Sequence, residues 1–440
     1  MSSASCNIFD SGQWRQGAAA AGQDDPTQQT PQRVTSTPAN QTTTPPTARA
    51  GVLRRPSNLL KFFDPAAYYP VFSGIVDNLK FDDVARLSRT CKALSHLPRV
   101  VTKRDCDIDR LLSKWFNQPK SLRSLMAEQN IIIGSHFATA LFSREYRTAA
   151  LRFYATGGAP SAALEKFLQL QGYEELPRPE AKPESRRRKY ERPNQRGLVI
   201  EIRVCSNSPL GALLAAANTT HVLNIVTSHK AYALFPLSSF MHKISFLTRD
   251  LNTDSVQHSL ARYSHYDYDF QPIIWDSTPP PYSAEITQPR RVGDKYTWVI
   301  EFDNGSISRP AVPHSVIEST CFRLSVTPDP NIFMNRQPNY TNARYRLSCS
   351  GFQSPVLKYY YTFGCSAWRA FIGARVDALT KIEIYKLPAK DRTGLDLSIK
   401  KDFYKLEGRF QKSSRWKYCD HLVREWWDDW LKENDSNPVR

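Results

Sequence analysis

Gly134 and Ser135 are the residues of this sequence best suited to hold a phosphate. They follow the apolar run Asn130–Ile133, which is typical of a short buried strand, and they precede a helical pattern through Phe137, Leu141 and Phe142. Backbone amides at the start of a helix attract anions, and a neighbouring guanidinium would strengthen that attraction. The candidate guanidinium groups are those of Arg144, Arg147 and Arg152. A tight turn between strand and helix explains the same pair without any ligand, so both interpretations stand.

A basic run lies farther along the chain, at Arg186, Arg187, Arg188 and Lys189. It belongs to the stretch 178–196, in which lysines and arginines outnumber acids and prolines recur. This composition predicts an exposed loop inserted before a strand. A solvated loop is the simplest role, while a nuclear import signal and a contact with nucleic acid are the alternatives.

Metal and nucleophile chemistry have little support in the sequence. His265, Asp267 and Asp269 would share one face if residues 262–270 formed a strand, and they could then hold a metal. A half-buried strand with a solvated polar face accounts for the same alternation. No Cys-x-x-Cys pair occurs, and no motif frames a nucleophile. We therefore expect no metal and no cofactor.

Alternating strand and helix patterns surround the Gly-Ser pair and would position it. Strands are predicted at residues 151–154 and 198–204, and a helix between them opens at Pro160 and closes at Gly172, which favours a left-handed cap. Two further helices are predicted before the pair, at residues 109–116 and 122–128. The order indicates an α+β fold built on a mixed sheet.

A helical segment precedes this body. Two apolar stripes recur at helical spacing, the first at Phe72, Ile75, Val76 and Leu79 and the second at Val84, Leu87, Cys91 and Leu94. The pattern predicts two or three short helices. On pattern alone they would cap the core of the larger body.

The same segment resembles an F-box, the helical unit by which substrate receptors join cullin-type ubiquitin ligases. The resemblance rests on Tyr69-Pro70, Ile75, Leu79, Asp83-Val84, Leu87 and Thr90-Cys91-Lys92-Ala93-Leu94. It implies an adaptor-binding apolar face made by Pro70, Ile75, Leu79, Val84, Leu87 and Leu94. The sequence departs from the F-box pattern after the proline, where Val71 and Phe72 stand in place of the usual acidic residue.

The body resembles a fungal family of uncharacterised proteins with a nucleotidyltransferase-like fold. The strand, Gly-Ser turn, helix, strand and helix ending in Gly172-Tyr173 carry this resemblance. Later segments extend it, namely Asn218-Thr219-Thr220, Val222-Leu223-Asn224, Ala231–Pro236 and Arg291–Asp294 with Trp298. The resemblance covers most of residues 60–305.

In nucleotidyltransferases of this kind the Gly-Ser turn holds phosphate, and an Asp-x-Asp pair on the next strand binds metal ions. Here the matching residues are Ala150 and Arg152, with Leu151 between them. Neither can ligate Mg²⁺, and the guanidinium of Arg152 would repel it. Glu201 is the nearest acid in the pattern. The resemblance therefore implies phosphate binding by Gly134, Ser135 and Arg152, and a protein that is not an enzyme.

The remaining residues, 306–440, contain strand-like segments at Cys321 to Val326 and Lys381 to Leu387. They end in a helical pattern with apolar spacing at Trp416, Val423, Trp426, Trp427 and Trp430. A helix of this kind is expected to dock on the protein's own core.

Composition excludes several classes of protein. The 440 residues are 41% apolar, and Lys and Arg outnumber Asp and Glu by 59 to 42. The chain can bury a large core, and its positive field would attract acidic partners. No apolar stretch approaches the roughly 18 residues of a membrane span, and Met1 to Gln16 has no signal-peptide pattern. We expect a cytoplasmic or nuclear protein with reduced cysteines and no membrane partner.

The predicted organisation is a disordered tail at 1–56, an F-box-like helical unit at 57–105, a degenerate nucleotidyltransferase-like domain at 106–305 with the basic insert 178–196, and a C-terminal α+β portion at 306–440. The first functional hypothesis is a non-catalytic adaptor or substrate receptor that docks on a ubiquitin ligase. The second is a nucleotide- or nucleic-acid-binding pseudo-nucleotidyltransferase. A third is an active transferase with displaced carboxylates at Glu201, Asp294 and Asp303.

Overall fold

The structure is a computed structural model, and it describes most of the chain. The described residues are 58–143, 150–177, 186–195, 197–249, 251, 253–271, 283–328, 343–392 and 410–435. The predicted tail at 1–56, with Cys6, lies outside them, as do Arg144, Arg147 and residues 178–185 of the predicted insert.

The first part of the described chain is helical, as the apolar stripes predicted. Its helices are α1 (Asn58–Lys61), α2 (Tyr69–Asp77), α3 (Phe81–Ser88), α4 (Leu97–Asp105), α5 (Ile108–Leu112) and α6 (Pro119–Gln129). A 3₁₀ turn at Lys92–Leu94 separates α3 from α4. The carboxylate of Asp83 accepts a hydrogen bond from the backbone N–H of Lys80 and so caps the start of α3.

The central elements form a mixed sheet with helices between its strands. The strands are β1 (Ile132–Gly134), β2 (Ala150–Thr156), β3 (Glu174–Glu175), β4 (Arg187–Glu191), β5 (Val199–Cys205), β6 (Asn224–Val226), β7 (Lys230–Ala233) and, later in the chain, β11 (Trp298–Glu301). The helices are α7 (His136–Phe142), α8 (Ala159–Leu170) and α9 (Pro209–Ala216).

Within the described residues these eight strands are ordered β11-β7-β6-β1-β2-β5-β4-β3. The pair β2 and β5 is parallel, and the other neighbours in the sheet are antiparallel. The crossover between β2 and β5 contains α8. A mixed sheet packed by helices confirms the predicted α+β class.

Alternation along the strands divides the sheet into two faces, each with its own core. Leu151, Phe153 and Ile202 point into the core that holds α2 to α8. Tyr154 and Cys205 point to the other face, where α9 packs. The helical segment and the sheet therefore share one apolar cluster, while the division into domains remains a prediction.

Smaller elements cover the second face and extend to the C-terminal part. They are β8 (Ile244–Phe246), α10 (Asp254–Tyr263), β9 (Asp269–Gln271), α11 (Ser283–Thr287), β10 (Arg290–Arg291), α12 (His314–Glu318), β12 (Cys321–Pro328), β13 (Ala343–Ser348), β14 (Ser350–Phe352), β15 (Tyr361–Phe363), α13 (Ser366–Tyr385), α14 (Ala389–Arg392) and α15 (Val423–Asp435). In the ranges given above, none of the helices has the length and apolar character needed to cross a membrane.

The C-terminal helix α15 docks on the protein's own core, as its tryptophan spacing predicted. Trp427 and Trp430 are buried, and both contact the ring of Trp368 on α13, with centroids 5.0 and 5.6 Å away. The predicted strand at Lys381 to Leu387 is wrong, because these residues continue α13 almost to their end. A short apolar run does not distinguish a buried helix from a strand.

A buried arginine ties the helical segment to the sheet. Arg123 of α6 is 1% exposed, and its guanidinium donates to the carboxylate of Asp109 (2.9 Å). It also donates to the backbone carbonyls of Ser228 and Asp303, each at 2.9 Å, and to the side-chain oxygen of Asn304. One side chain thus satisfies polar groups from three distant parts of the chain.

Replacing Arg123 with leucine should cost about 3 kcal/mol of unfolding free energy, because a partly buried carboxylate and two backbone carbonyls lose their donor. Urea denaturation measures this loss. The matched control is Arg99→Leu, which removes an exposed arginine from α4 and should change stability by less than about 0.5 kcal/mol. Equal losses in the two variants would contradict the role assigned to Arg123.

Candidate functional site

The Gly-Ser pair occupies the turn between β1 and α7, as predicted, but the two residues have different roles. A side chain at Gly134 would clash with Leu213 of α9 and would lie 3.2 Å from the ring of Tyr154. Ser135, not the glycine, has the positive φ of 65°. The glycine is therefore required by close packing of α9 on the sheet, and the strained backbone belongs to the serine.

Arg152 and Glu201 form an ion pair across the parallel strands β2 and β5. The two residues are partners in the strand register, and Nη2 of Arg152 lies 2.8 Å from Oε2 of Glu201. Nη1 of Arg152 also donates to the hydroxyl of Ser135 at 3.2 Å. On the other side, Nε of Arg203 donates to Oε1 of Glu201 at 3.0 Å. One carboxylate therefore lies between two arginines beside the Gly-Ser turn.

The basic run brings a further arginine to the same face. The sequence predicted an exposed loop, but Arg187–Glu191 is strand β4, which pairs with β5 because its alternating residues fit the sheet edge. Arg187 stands opposite Arg203, and Lys189 stands opposite Glu201. Arg188 points to the other face, where it pairs with Glu165 of α8. The run is thus divided between two faces and is not one continuous patch.

His136 connects this cluster to α10. The guanidinium of Arg262 donates to its Nε2, so the neutral ring carries its proton on Nδ1. That Nδ1–H then donates to the hydroxyl oxygen of Tyr263. Burial, followed by the charges of Arg262 and Arg152, lowers the pKa of His136 from 6.5 to about 3. His136 is therefore a neutral support beside a cationic cluster.

The electrostatics of the site favour an anion. Burial alone would raise the pKa of Glu201, but Arg152 and Arg203 together hold it below its ordinary value. Glu201 is therefore ionised at neutral pH and offsets one positive charge. Arg152, Arg187, Lys189 and Arg203 supply four positive charges on this face, which leaves a net charge of about three beside the one carboxylate. We call Ser135, Arg152, Arg187, Glu201 and Arg203 the arginine cluster.

The helix α7 and the start of β2, the other parts of the predicted phosphate site, are less suited to binding an anion. The helix α7 has seven residues, so its dipole contributes little. Ala150 lies at the start of β2 and offers no oxygen ligand. The positive charge beside the Gly-Ser turn therefore comes from arginine side chains more than from helix amides.

The structure does not support the metal site that a strand at residues 262–270 would have formed. Residues 254–263 are helix α10, and Ser264–Tyr266 form a 3₁₀ turn, so His265, Asp267 and Asp269 do not lie on one strand. Among the described residues no three metal-ligating side chains come together. Of the displaced carboxylates, Asp294 pairs with the buried Arg290, and Asp303 accepts from the backbone N–H of Gly305.

The F-box-like residues are distributed between core and surface. Val84 and Leu94 are buried, whereas Leu79 and Leu87 are partly buried against the shared core. Ile75 is half-buried and Pro70 is exposed. Much of the predicted adaptor face therefore packs within the protein, and its binding role remains a prediction.

Sequence reasoning missed three members of the site, and alternation could have found one of them. Arg203 follows Glu201 by two residues in a predicted strand, so both side chains must share a face. His136 and Arg262 carry no such local signal, because they meet only through the packing of α10 against α7.

No family model matches the chain, and no curated protein matches it. Three solved chains of a CCA-adding enzyme, with CTP, in an apo form and with ATP, are similar at 12% identity and TM-scores of 0.29, 0.28 and 0.29. The matches cover 38% of this chain and 43%, 42% and 43% of those chains. The chain thus spans less than half of their length. A similarity this low carries no argument about substrate or reaction.

One prediction is corrected by this comparison. The sequence predicted a protein that is not an enzyme, yet the solved chains that match are all enzymes by name. The prediction was based on two residues of one motif, Ala150 and Arg152. Those two residues concern only the metal-binding pair of the motif. They do not decide whether the chain has activity.

Acid should destabilise the protein partly through His136. Its pKa in the folded chain, about 3, lies below the ordinary 6.5, so the unfolded chain binds the extra proton as pH falls below 6.5. Stability supplied by the neutral ring is therefore lost on acidification. Replacing His136 with glutamine should reduce the loss between about pH 7 and about pH 4.5 by about 2 kcal/mol.

Urea denaturation at several pH values measures this difference. The control is His258→Gln, which makes the same substitution at an exposed histidine of α10. Parallel curves for wild type and His136→Gln would show that the ring does not resist protonation.

Proposed function

We propose that the chain binds a nucleoside triphosphate through the arginine cluster. The single observation that carries the proposal is that two arginines, Arg152 and Arg203, pair with one carboxylate beside the Gly-Ser turn, with Arg187 opposite Arg203 on the same face. A phosphate is the natural ligand for such a group, since guanidinium groups bind its oxygens with paired, charge-assisted hydrogen bonds.

The exposure of the cluster supports this proposal. The side chain of Arg152 is 23% exposed and that of Arg203 is 16% exposed, while Arg187 is exposed at the strand edge. Arg152 and Arg203 are therefore partly buried, whereas the charge of Arg187 is accessible to solvent. Partial burial strengthens a charged contact because water screens it less.

In this proposal Glu201 has two opposite effects on a bound phosphate. It holds Arg152 and Arg203 in fixed rotamers, which lowers the entropic cost of ordering them around a ligand. Its own negative charge opposes an incoming phosphate. Affinity then depends on the net positive charge, to which Arg187 contributes.

Replacing Arg187 with alanine should weaken ATP binding by about tenfold, because one charge-assisted contact is lost. Isothermal titration at low salt measures the affinity. The matched control is Arg188→Ala, which removes the next arginine of the same strand from the opposite face and should change affinity by less than about twofold. Equal weakening would point to nonspecific attraction by the basic run.

A second titration separates direct phosphate recognition from recognition through a metal. Binding that persists without Mg²⁺ and weakens in Arg152→Ala supports the arginine cluster. Labelled ATP tests turnover in the same samples. Metal-dependent transfer of label that disappears in Glu201→Gln would make this carboxylate part of a reaction and would replace a purely binding role.

We propose as a second candidate that α2 docks on a ubiquitin-ligase adaptor, and one observation favours it. Tyr68, Tyr69 and Val71 are 45%, 57% and 43% exposed at the start of the F-box-like segment. Exposed aromatic residues next to one another are enriched in protein interfaces. The buried Val84 and Leu94 would then support the helices from within.

Replacing Tyr69 and Val71 together with serine should abolish copurification of the ligase adaptor and leave thermal stability within a few degrees, because both side chains are exposed. Leu170→Ser is the control, since Leu170 is 77% exposed at the end of α8, outside the segment. Failure of the unmodified protein to retain the adaptor would contradict this second candidate.

A further inference from the structure

A cavity lies between the helical segment and the sheet, apart from the arginine cluster. Its volume is about 400 Å³, within the range of about 300–1,000 Å³ typical of small-molecule sites. One wall is formed by the end of α2 and by α3, and the other by residues 236–243. The C-terminal end of α7 and Trp298 of β11 complete it.

The inner surface of the cavity is aromatic. Trp298 makes edge-to-face contacts with Phe81 at 5.0 Å and Phe142 at 5.1 Å between ring centroids. Phe240 stands 6.0 Å from Phe142 and 6.5 Å from Trp298. These rings come from α3, α7, β11 and the facing segment, so the surface is fixed by four separate elements. Leu79 and Met241 extend it.

Positive charges outnumber negative charges along the lining of the cavity. Lys80, Arg86, Arg89 and Lys243 supply positive charge, and Asp77 and Asp82 supply negative charge. Asp82 is already paired with Arg86 at 3.3 Å. Burial and the charge of Arg86 lower the pKa of His242, which leaves that ring neutral. The cavity therefore combines an aromatic surface with a net positive charge.

The cavity wall opposite α3 has an unusual backbone conformation, which hydrogen bonds from outside the cavity stabilise. Residues Leu237–Met241 form a single turn of π-helix, and Lys243 has a positive φ of 55°. The carboxylate of the buried Glu285 accepts hydrogen bonds from the backbone N–H groups of Leu237 and Ser238, at 3.1 and 3.0 Å. Single π-helical turns are frequent at functional sites, and Phe240 and Met241 of this turn line the cavity.

We propose that this cavity binds a small anionic amphiphile, a molecule with a flat or chain-like apolar body and one acidic group. The apolar body lies against Trp298, Phe142 and Phe240. The acidic group lies near Arg89 and Lys243, where the positive charges outnumber the acids. Neither the phosphate ligand proposed for the arginine cluster nor the ubiquitin-ligase adaptor is needed for this binding.

The probe for this site is 1-anilinonaphthalene-8-sulfonate, which has a flat aromatic body, one anionic group and strong fluorescence in apolar surroundings. We expect saturable binding at one site per chain. Decanoate should displace the probe, whereas decyltrimethylammonium, with the same chain and the opposite charge, should not. Absence of saturable binding, or equal displacement by both competitors, would overturn the proposal.

Variants locate the binding in the cavity. Arg89→Gln combined with Lys243→Gln should weaken decanoate binding at least about fivefold, because two of the four cations are lost. Met241→Trp narrows the cavity and should weaken the probe and decanoate together. Lys166→Gln, which removes an exposed lysine of α8, is the control and should have no effect.

Circular dichroism and thermal unfolding show whether each variant folds. A folded double variant that binds decanoate as tightly as the wild type overturns the role of the two cations. A folded Met241→Trp variant with unchanged binding places the probe elsewhere and overturns the site. If Met241→Trp does not fold, the smaller change Ser143→Leu at the end of α7 takes its place, with the same two outcomes.

Discussion

The parallel pairing of β2 and β5 is the constraint on which the candidate site depends. Its register sets Arg152 directly opposite Glu201 and Tyr154 opposite Arg203. Parallel neighbours lie about 4.8 Å apart, so a guanidinium and a carboxylate on one face must meet. A shift of either strand by one residue would turn its charged side chain into the apolar core and break the pair. The alternation of apolar residues that builds the core therefore also fixes the charges on the other face.

The same pairing explains why the basic run became a strand. β5 has one edge paired with β2 and another edge open to a partner, and the residues of the run supply it. Arginine and lysine are tolerated there because their charged ends reach water while the chain pairs through its backbone. Tyr190 points inward and is buried, which anchors β4. Composition had indicated a loop because charge is a poor guide to pairing at a sheet edge.

The sequence predicted the α+β class and the elements β1, α7, β2, α8 and β5 well, because their apolar periodicity is local. It also predicted the left-handed cap at Gly172, which has a φ of 79°. It failed for residues 381–387, where an apolar run suits either a helix or a strand. It also could not predict the contact of His136 with Arg262, which are far apart in the sequence. The contacts that strand register sets were predictable in principle. The contacts that form when distant elements pack together were not.

In the proposed function, Arg152 would also decide how this face of the sheet attracts phosphate. A carboxylate pair would draw in a hard cation and bind phosphate through it. An arginine draws phosphate directly, through two parallel hydrogen bonds in a fixed plane. The two arrangements oppose each other electrostatically, because a guanidinium beside Glu201 places positive charge where the cation would sit. The selectivity of this face then depends on the spacing of its arginines. Since Arg152, Arg203 and Arg187 stand on three adjacent strands, that spacing is set by the sheet itself.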